Sequence, residues 1–299
     1  MVLGELELRG PAGEPVDWRR TLASHGVATL PPNRLDEGEW TLDSTIAFPD
    51  GRARSVRLRQ ARPGWAEVLL IGAEPVLGDS VRLLDAATHL LRLGDDLSRF
   101  YARARRDPEL GWVVAGAGRM LRGQTVFEDV VKTICTTNCS WAATERMVGA
   151  LVEDLGQPDG SGRHSFPSPE AMARAGEPFY RERARAGYRG PYLQALAAQV
   201  TEGRLDLEAL RDPVLSDAEA EGRLLALPGV GPYATAHIML TALGRYRLLV
   251  LDSWTRPTYA RLSGRKAGDR AVQRRFARFG EYRGLAFWLY LIRDWLDAE

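Results

Sequence analysis

The stretch LPGVGPYATAHIML, residues 227–240, sets the tightest limit on what this chain can build. Leu224, Leu225 and Leu227 end one helix-forming run, and Tyr233–Leu243 make the next. Only Pro228–Pro232 join them, so two helices must meet at a very short turn. Gly229 and Gly231 allow positive φ there and remove the side chains that would keep a ligand away. The free N–H groups of the second helix point outward from its positive dipole end, a setting that suits a phosphate. Carbonyls of the same turn, those of Leu227 and Val230, can hold a monovalent cation. An ordinary tight turn between helices would also read this way, and the stretch alone leaves both readings open.

The rest of the chain divides in two. Residues 1–95 read mainly as short strands with one or two helices, and SVRLRQARPGWAEVLLIG alternates around an Arg-Pro-Gly turn as a hairpin does. DWRRTLASHG (17–26) reads as a helix ended by Gly26, and DSVRLLDAATHLLRLG (79–94) as an amphipathic helix closing on Gly94. Residues 96–299 read as helical throughout. Helices are expected over 127–138 and 140–156 with a break near Asn138, and a new one at Ser168-Pro169. The next is expected over 192–201. Ser216 and Glu219 form a capping box at the start of the 216–243 hairpin. The fold class is therefore α+β: a small antiparallel sheet domain followed by an all-helical one.

Composition excludes several classes. The first residues, MVLGELELRG, carry acids and no apolar core of signal-peptide length. No run approaches the ~18 apolar residues of a membrane span, so a cytoplasmic chain with no membrane partner is expected. Cys135 and Cys139 are the two cysteines, too few for a zinc or iron–sulfur set. The formal net charge is only +1. Yet residues 245–283 hold eleven basic side chains against three acidic ones, a local excess that fits either a solvated face or a polyanion. Only two lysines occur, Lys132 and Lys266.

These motifs together resemble the helix-hairpin-helix DNA glycosylase superfamily, and the resemblance covers most of residues 110–297. GRMLRGQTVFEDVVKTICTTNCS (118–140) and FPSPEAMA…AGYRGPYLQALA (166–197) are similar to the oxoguanine glycosylases. FGEYRGLAFWLYLIRDW (279–295) is similar to the closing helix of the bacterial alkylation-repair branch. The resemblance implies that Asp252, nineteen residues after Tyr233, is the catalytic carboxylate facing the sugar of a flipped nucleotide. It implies a base pocket of Tyr233, His237, Tyr282, Phe287 and Leu291. It further implies DNA contacts from Asn138, Pro228, Gly229, Val230, Gly231, Arg256 and Arg261.

Some relatives carry a lysine at the position of Tyr233, where it forms a Schiff base and cuts the strand. Tyrosine cannot, so the resemblance implies a monofunctional, monomeric, nucleoid-associated base-excision enzyme that needs no cofactor. Its partner would be double-stranded DNA with a damaged base. An aromatic pocket without a second acid suits an alkylated purine of the 3-methyladenine type. An oxidised or deaminated purine is the alternative, and a non-catalytic DNA-binding protein is the alternative of another class.

Overall fold

The computed structural model describes residues 1–72, 76 and 78–296. Five antiparallel strands form one sheet in the order β1-β5-β4-β3-β2: β1 (Val2–Glu7), β2 (Asn33–Asp36), β3 (Thr41–Ala47), β4 (Ala53–Arg62) and β5 (Trp65–Ile71). The expected hairpin is β4–β5, turning at Gly64 with φ +78°. Along β5 every second residue, Ala66, Val68 and Leu70, is buried. That is the period-2 signature of a sheet with one covered face.

Thirteen helices are found among the described residues: α1 (Trp18–Leu22), α2 (Asp79–Leu90), α3 (Ser98–Ala104), α4 (Val126–Thr136), α5 (Trp141–Leu155), α6 (Pro169–Arg174), α7 (Gly176–Pro178), α8 (Arg189–Thr201), α9 (Asp217–Leu225), α10 (Pro232–Ile238), α11 (Thr255–Ser263), α12 (Asp269–Phe276) and α13 (Arg283–Ile292). Helix α2 covers the sheet through Leu83, Ala86, Ala87 and Leu90. The chain is thus α+β, with its sheet at the N-terminus and, α1 apart, its helices after it.

Local signals account for the helix ends. Thr125, Ser140, Ser168 and Ser216 each accept the backbone N–H of the third residue of the helix that follows. At Ser216 both arms of the capping box form. Two expected ends move. The 17–26 helix stops at Leu22, and Gly26 opens a separate 3₁₀ turn. Helix α2 stops at Leu90 rather than near Gly94, and the chain turns at Arg92, φ +53°. Arg92 leaves the helix because its buried guanidinium is needed elsewhere. It donates to Met120 O (2.8 Å), to Asp95 (2.7 Å) and to the carbonyl of Thr241, tying the sheet side to the end of the hairpin.

The two halves interlock. Val27 and Leu30 pack into the helical core, and Leu121 packs into the sheet core. No helix of the described residues is long and apolar enough to cross a membrane.

Candidate active site

Helices α9 and α10 form the hairpin, and its turn is as tight as the prolines require. Val230 N donates to Leu227 O at 3.2 Å and Thr235 N to Gly231 O at 2.9 Å. Gly229 has φ +78°, and a Cβ there would sit 2.8 Å from the Tyr192 ring. Only glycine meets both conditions. Gly231 corrects the expectation of positive φ: at φ −100°, ψ −173° it is extended. Its bareness serves access, since a Cβ there would meet nothing within 4 Å. Helix α10 ends in a wider π-helical turn over Met239–Leu243.

A cleft of about 780 Å³ opens beside this turn. Its walls include Asn138, Tyr188, Gly229, Gly231, Tyr233 and Asp252. Asp252 and the hairpin glycines, more than twenty residues apart in the chain, thus share one cavity. Asp252 lies just before α11 and also acts as a cap. Its Oδ1 accepts from Trp254 N (2.8 Å) and Thr255 N (2.6 Å), and its own N–H donates to Thr255 Oγ1 (2.8 Å). The cap fixes one carboxylate oxygen and leaves Oδ2 without a protein donor among the described residues. Asp252 is the one acid among the cleft-lining residues.

Tyr233 lines the cleft with its hydroxyl 3.3 Å from Thr136 Oγ1, and burial pushes its phenol above the usual range. Asn138 stands exposed at the α4–α5 break with φ +47°, a region few non-glycine residues occupy. Its Nδ2 donates to the Tyr188 hydroxyl at 3.2 Å. The buried Arg189 guanidinium holds the same turn by donating to the carbonyl of Thr137. Cys139 also borders the cleft, and both cysteines are free thiols.

Neither lysine reaches this cavity. Lys132 is buried against Glu128 (2.8 Å) and donates to Leu30 O (3.2 Å). Lys266 is exposed in the α11–α12 connection.

His237 stands one turn behind Tyr233, their rings 6.0 Å apart. From it a series of rings runs on: Trp288 at 6.1 Å, then Trp254 at 5.7 Å, then Trp295 at 5.8 Å. His25, from the loop after α1, meets His237 edge-on at 5.7 Å. Of the five expected pocket residues only Tyr233 lines the cleft; His237 is buried behind it, and the other three lie elsewhere. Phe287 is fully buried against Phe276 and Tyr259, and Leu291 is buried in that same core. Tyr282 stacks on Tyr246 and lines a different cavity beside Asp95.

Helix geometry sets this placement. Successive residues of an α-helix point ~100° apart, so the next residue along α13, Trp288, turns to His237 while Phe287 turns inward. Leu291, four residues on from Phe287, shares its inward face. Trp254 had a signal, sitting two residues after the carboxylate. His25 had none, because nothing in the first hundred residues marks them as facing the hairpin.

Arg256 is exposed and paired with an acid. Its guanidinium is bidentate on Asp269 at 2.9 and 3.0 Å, because α11 and α12 lie side by side. Arg261 is exposed with no acidic partner among the described residues, as are Arg247, Arg265, Lys266, Arg270 and Arg274. Arg245, Arg275 and Arg278 are matched by Asp217, Glu109 and Asp107. The basic excess therefore narrows to a smaller set of exposed cations around α11 and α12.

Two buried histidines, His25 and His237, and the half-buried His89 make stability depend on pH. Burial pushes His237 down to about 4, and burial followed by neighbouring charges pushes His25 and His89 to about 3, so all three stay neutral in the folded chain at pH 5. The unfolded imidazoles bind protons below about 6.5. Asp129 acts oppositely, its buried carboxyl raised to about 6 and so protonated at pH 5 only when folded. Unfolding at pH 5 is thus expected to take up about two protons net. Stability should fall by roughly 3 kcal/mol per pH unit on acidification near that pH. Denaturant melts from pH 7 to 4.5 measure this, and a flat profile there contradicts the shielding of these histidines from water.

No protein-family model matches the chain. It is 28% identical over 311 residues to an N-glycosylase/DNA lyase, OGG1, of Arabidopsis thaliana, across 97% of this chain and 77% of the relative. It is 30% identical over 250 residues to a probable bifunctional transcriptional activator/DNA repair enzyme, AlkA, of Mycobacterium tuberculosis. That match takes in 81% of this chain but spans only 47% of the relative. Among solved structures, a 3-methyladenine DNA-glycosylase from Archaeoglobus fulgidus superposes with TM-score 0.74 at 23% identity, over 98% of this chain and 99% of that one. An 8-oxoguanine glycosylase/lyase from Clostridium acetobutylicum, in complex with dsDNA, gives TM-score 0.72 at 22% identity, over 96% and 94%. At such identities the superpositions establish the shared fold.

Proposed function

Because this chain belongs to the helix-hairpin-helix DNA glycosylase superfamily, we propose that it is a monofunctional enzyme that hydrolyses the N-glycosidic bond of a flipped, alkylated purine. It is a DNA glycosylase of base excision repair. The finer reading, alkylated base and no strand cleavage, is supported above all by a cleft whose single acid is Asp252 and which holds no lysine.

The chemistry follows from that inventory. As the C1′–N bond breaks, positive charge builds on the sugar, and a fixed carboxylate 252 stabilises it. A water oxygen bonds to C1′ and gives up its proton, with Asp252 Oδ2 as the acceptor at hand. The base leaves with the bonding electron pair. Glycosidases with neutral leaving groups use a second carboxylic acid to protonate them. With none on this cleft, the substrate that fits is a purine already cationic by alkylation, which departs neutral. Tyr233 on the cleft wall offers it a π face, which attracts a cationic ring. Strand cleavage through an imine needs an amine at the sugar, and neither lysine lines the cleft.

Double-stranded DNA would be bound by a monomer, its phosphates taken by the α10 N–H groups and by Arg261 and its exposed neighbours. The Leu227 and Val230 carbonyls are hard oxygen donors suited to a monovalent cation between turn and phosphate. Leu227 O keeps a lone pair beyond its bond to Val230.

The test is base release from duplexes carrying methylated purines, 8-oxoguanine or hypoxanthine, with the product identified by mass spectrometry and borohydride added to trap any imine. Release of 3-methyladenine with no trapped protein–DNA adduct is expected. Release of 8-oxoguanine alone would move the substrate to oxidised purines. A borohydride adduct would refute the monofunctional reading, and binding without release would leave a DNA-binding module.

A further inference from the structure

The wall of the cleft opposite the hairpin turn has turned its side-chain protons back into the protein. Helix α4 ends there, and the last carbonyls of a helix lack their usual N–H partners. Side chains serve them instead. Thr136 Oγ1 donates to Thr133 O at 2.7 Å, Thr137 Oγ1 to Ile134 O at 2.8 Å and the Cys139 thiol to Cys135 O at 3.1 Å. All three donors line the cleft. A carbonyl only accepts, and a hydroxyl has one proton to give. Thr136 Oγ1 can therefore meet the Tyr233 hydroxyl, 3.3 Å away, only as an acceptor. The phenol proton points at Thr136, and the phenol oxygen has nothing but lone pairs on its other sides.

That direction matters because of what shares the cavity. Thr136, Tyr233 and Asp252 all line it. Burial, with the Asp252 charge adding to it, raises the phenol above its usual range. The group therefore stays an O–H at neutral pH, and its dipole can point either way. With the proton on Thr136, the negative end of the dipole is left for the cleft. Positive charge developing on a sugar there meets a carboxylate and a phenol oxygen that both favour it. With the proton reversed, the same hydroxyl would set its positive end against that charge.

We propose that Thr136 is a positioning residue for the glycosidic step: by accepting the Tyr233 proton it keeps the phenol oxygen presented to the cleft as an acceptor alongside Asp252. The inference rests on the glycosylase reading above and adds to it a residue that acts through another. The end of α4 fixes the direction. To give its proton to Tyr233 instead, Thr136 would have to forfeit its short bond to the carbonyl of buried Thr133.

The test is a double-mutant cycle on single-turnover release of the base that wild type excises, 3-methyladenine on the reading above. Thr136→Val keeps the shape of the side chain and removes the acceptor, so the phenol proton is free to turn to the cleft. Release should fall about tenfold, the scale of one hydrogen bond. Thr136→Ser restores the acceptor and should recover most of that loss. In the Tyr233→Phe background there is no phenol proton to direct, and Thr136→Val should there change release by less than about twofold. Binding to a duplex with an abasic-site analogue should hold at the wild-type level in each Thr136 variant, which places the loss in the chemical step. Thr136→Ala, with its higher helix propensity, takes the place of Thr136→Val in the cycle if the valine variant melts early. Wild-type release without the Thr136 hydroxyl, or an equal loss with and without the Tyr233 hydroxyl, overturns the proposal. If wild type releases no base, the enzymatic reading fails first, and the two failures are told apart.

Discussion

Asp252→Asn should lower base release by 10²–10³ or more while leaving the fold and abasic-DNA binding in place. Two functions meet in this side chain, and asparagine separates them. Its Oδ1 can still accept from Trp254 N and Thr255 N, so the start of α11 remains capped. What it loses is the negative charge at the position of Oδ2, where positive charge develops on the sugar. Asp252→Ala loses both and should be less stable by about 1 kcal/mol in addition, the ordinary cost of a lost cap. Single-turnover release, thermal melting and abasic-duplex binding together decide. Were Asp252→Asn to keep wild-type release, the carboxylate would be only a helix cap and the mechanism would fall.

Gly231→Glu should weaken duplex binding by about 100-fold with little change in melting temperature. The position is open, since a Cβ there meets nothing within 4 Å, and its φ of −100° is one any residue adopts. The variant should therefore fold. Its carboxylate would stand at the N-terminal end of α10, where a strand phosphate would lie, and like charges set against each other cost several kcal/mol. One hundredfold corresponds to about 2.7 kcal/mol. Gly229 offers the contrast: its positive φ and the Tyr192 ring make any side chain there a stability problem before it is a binding problem. Wild-type affinity in Gly231→Glu would mean that the strand does not approach this turn.

Much of the local structure was legible because its causes are local. The 216–243 hairpin, the break at Asn138 and the β4–β5 turn are dictated by glycine, proline and capping residues acting within a few positions. The link from the hairpin to Asp252 was legible only through resemblance, since no periodicity connects a turn to an acid twenty residues later. The Arg256–Asp269 pair was not legible along the chain, because it forms only when α11 and α12 pack together.

By itself, then, the sequence determined the division into a strand-rich N-terminal part and a helical remainder, and the bare turn between two helices at 228–232. Only the tertiary structure decided which side of α13 faces the hairpin, and so that Trp288 rather than Phe287 meets His237. It alone brought His25 across from the sheet domain. The physical reason is one of range. Caps, turns and φ preferences act over a few residues, whereas the rotation of a packed helix and the docking of a distant loop depend on contacts with surfaces that do not exist until the chain has folded.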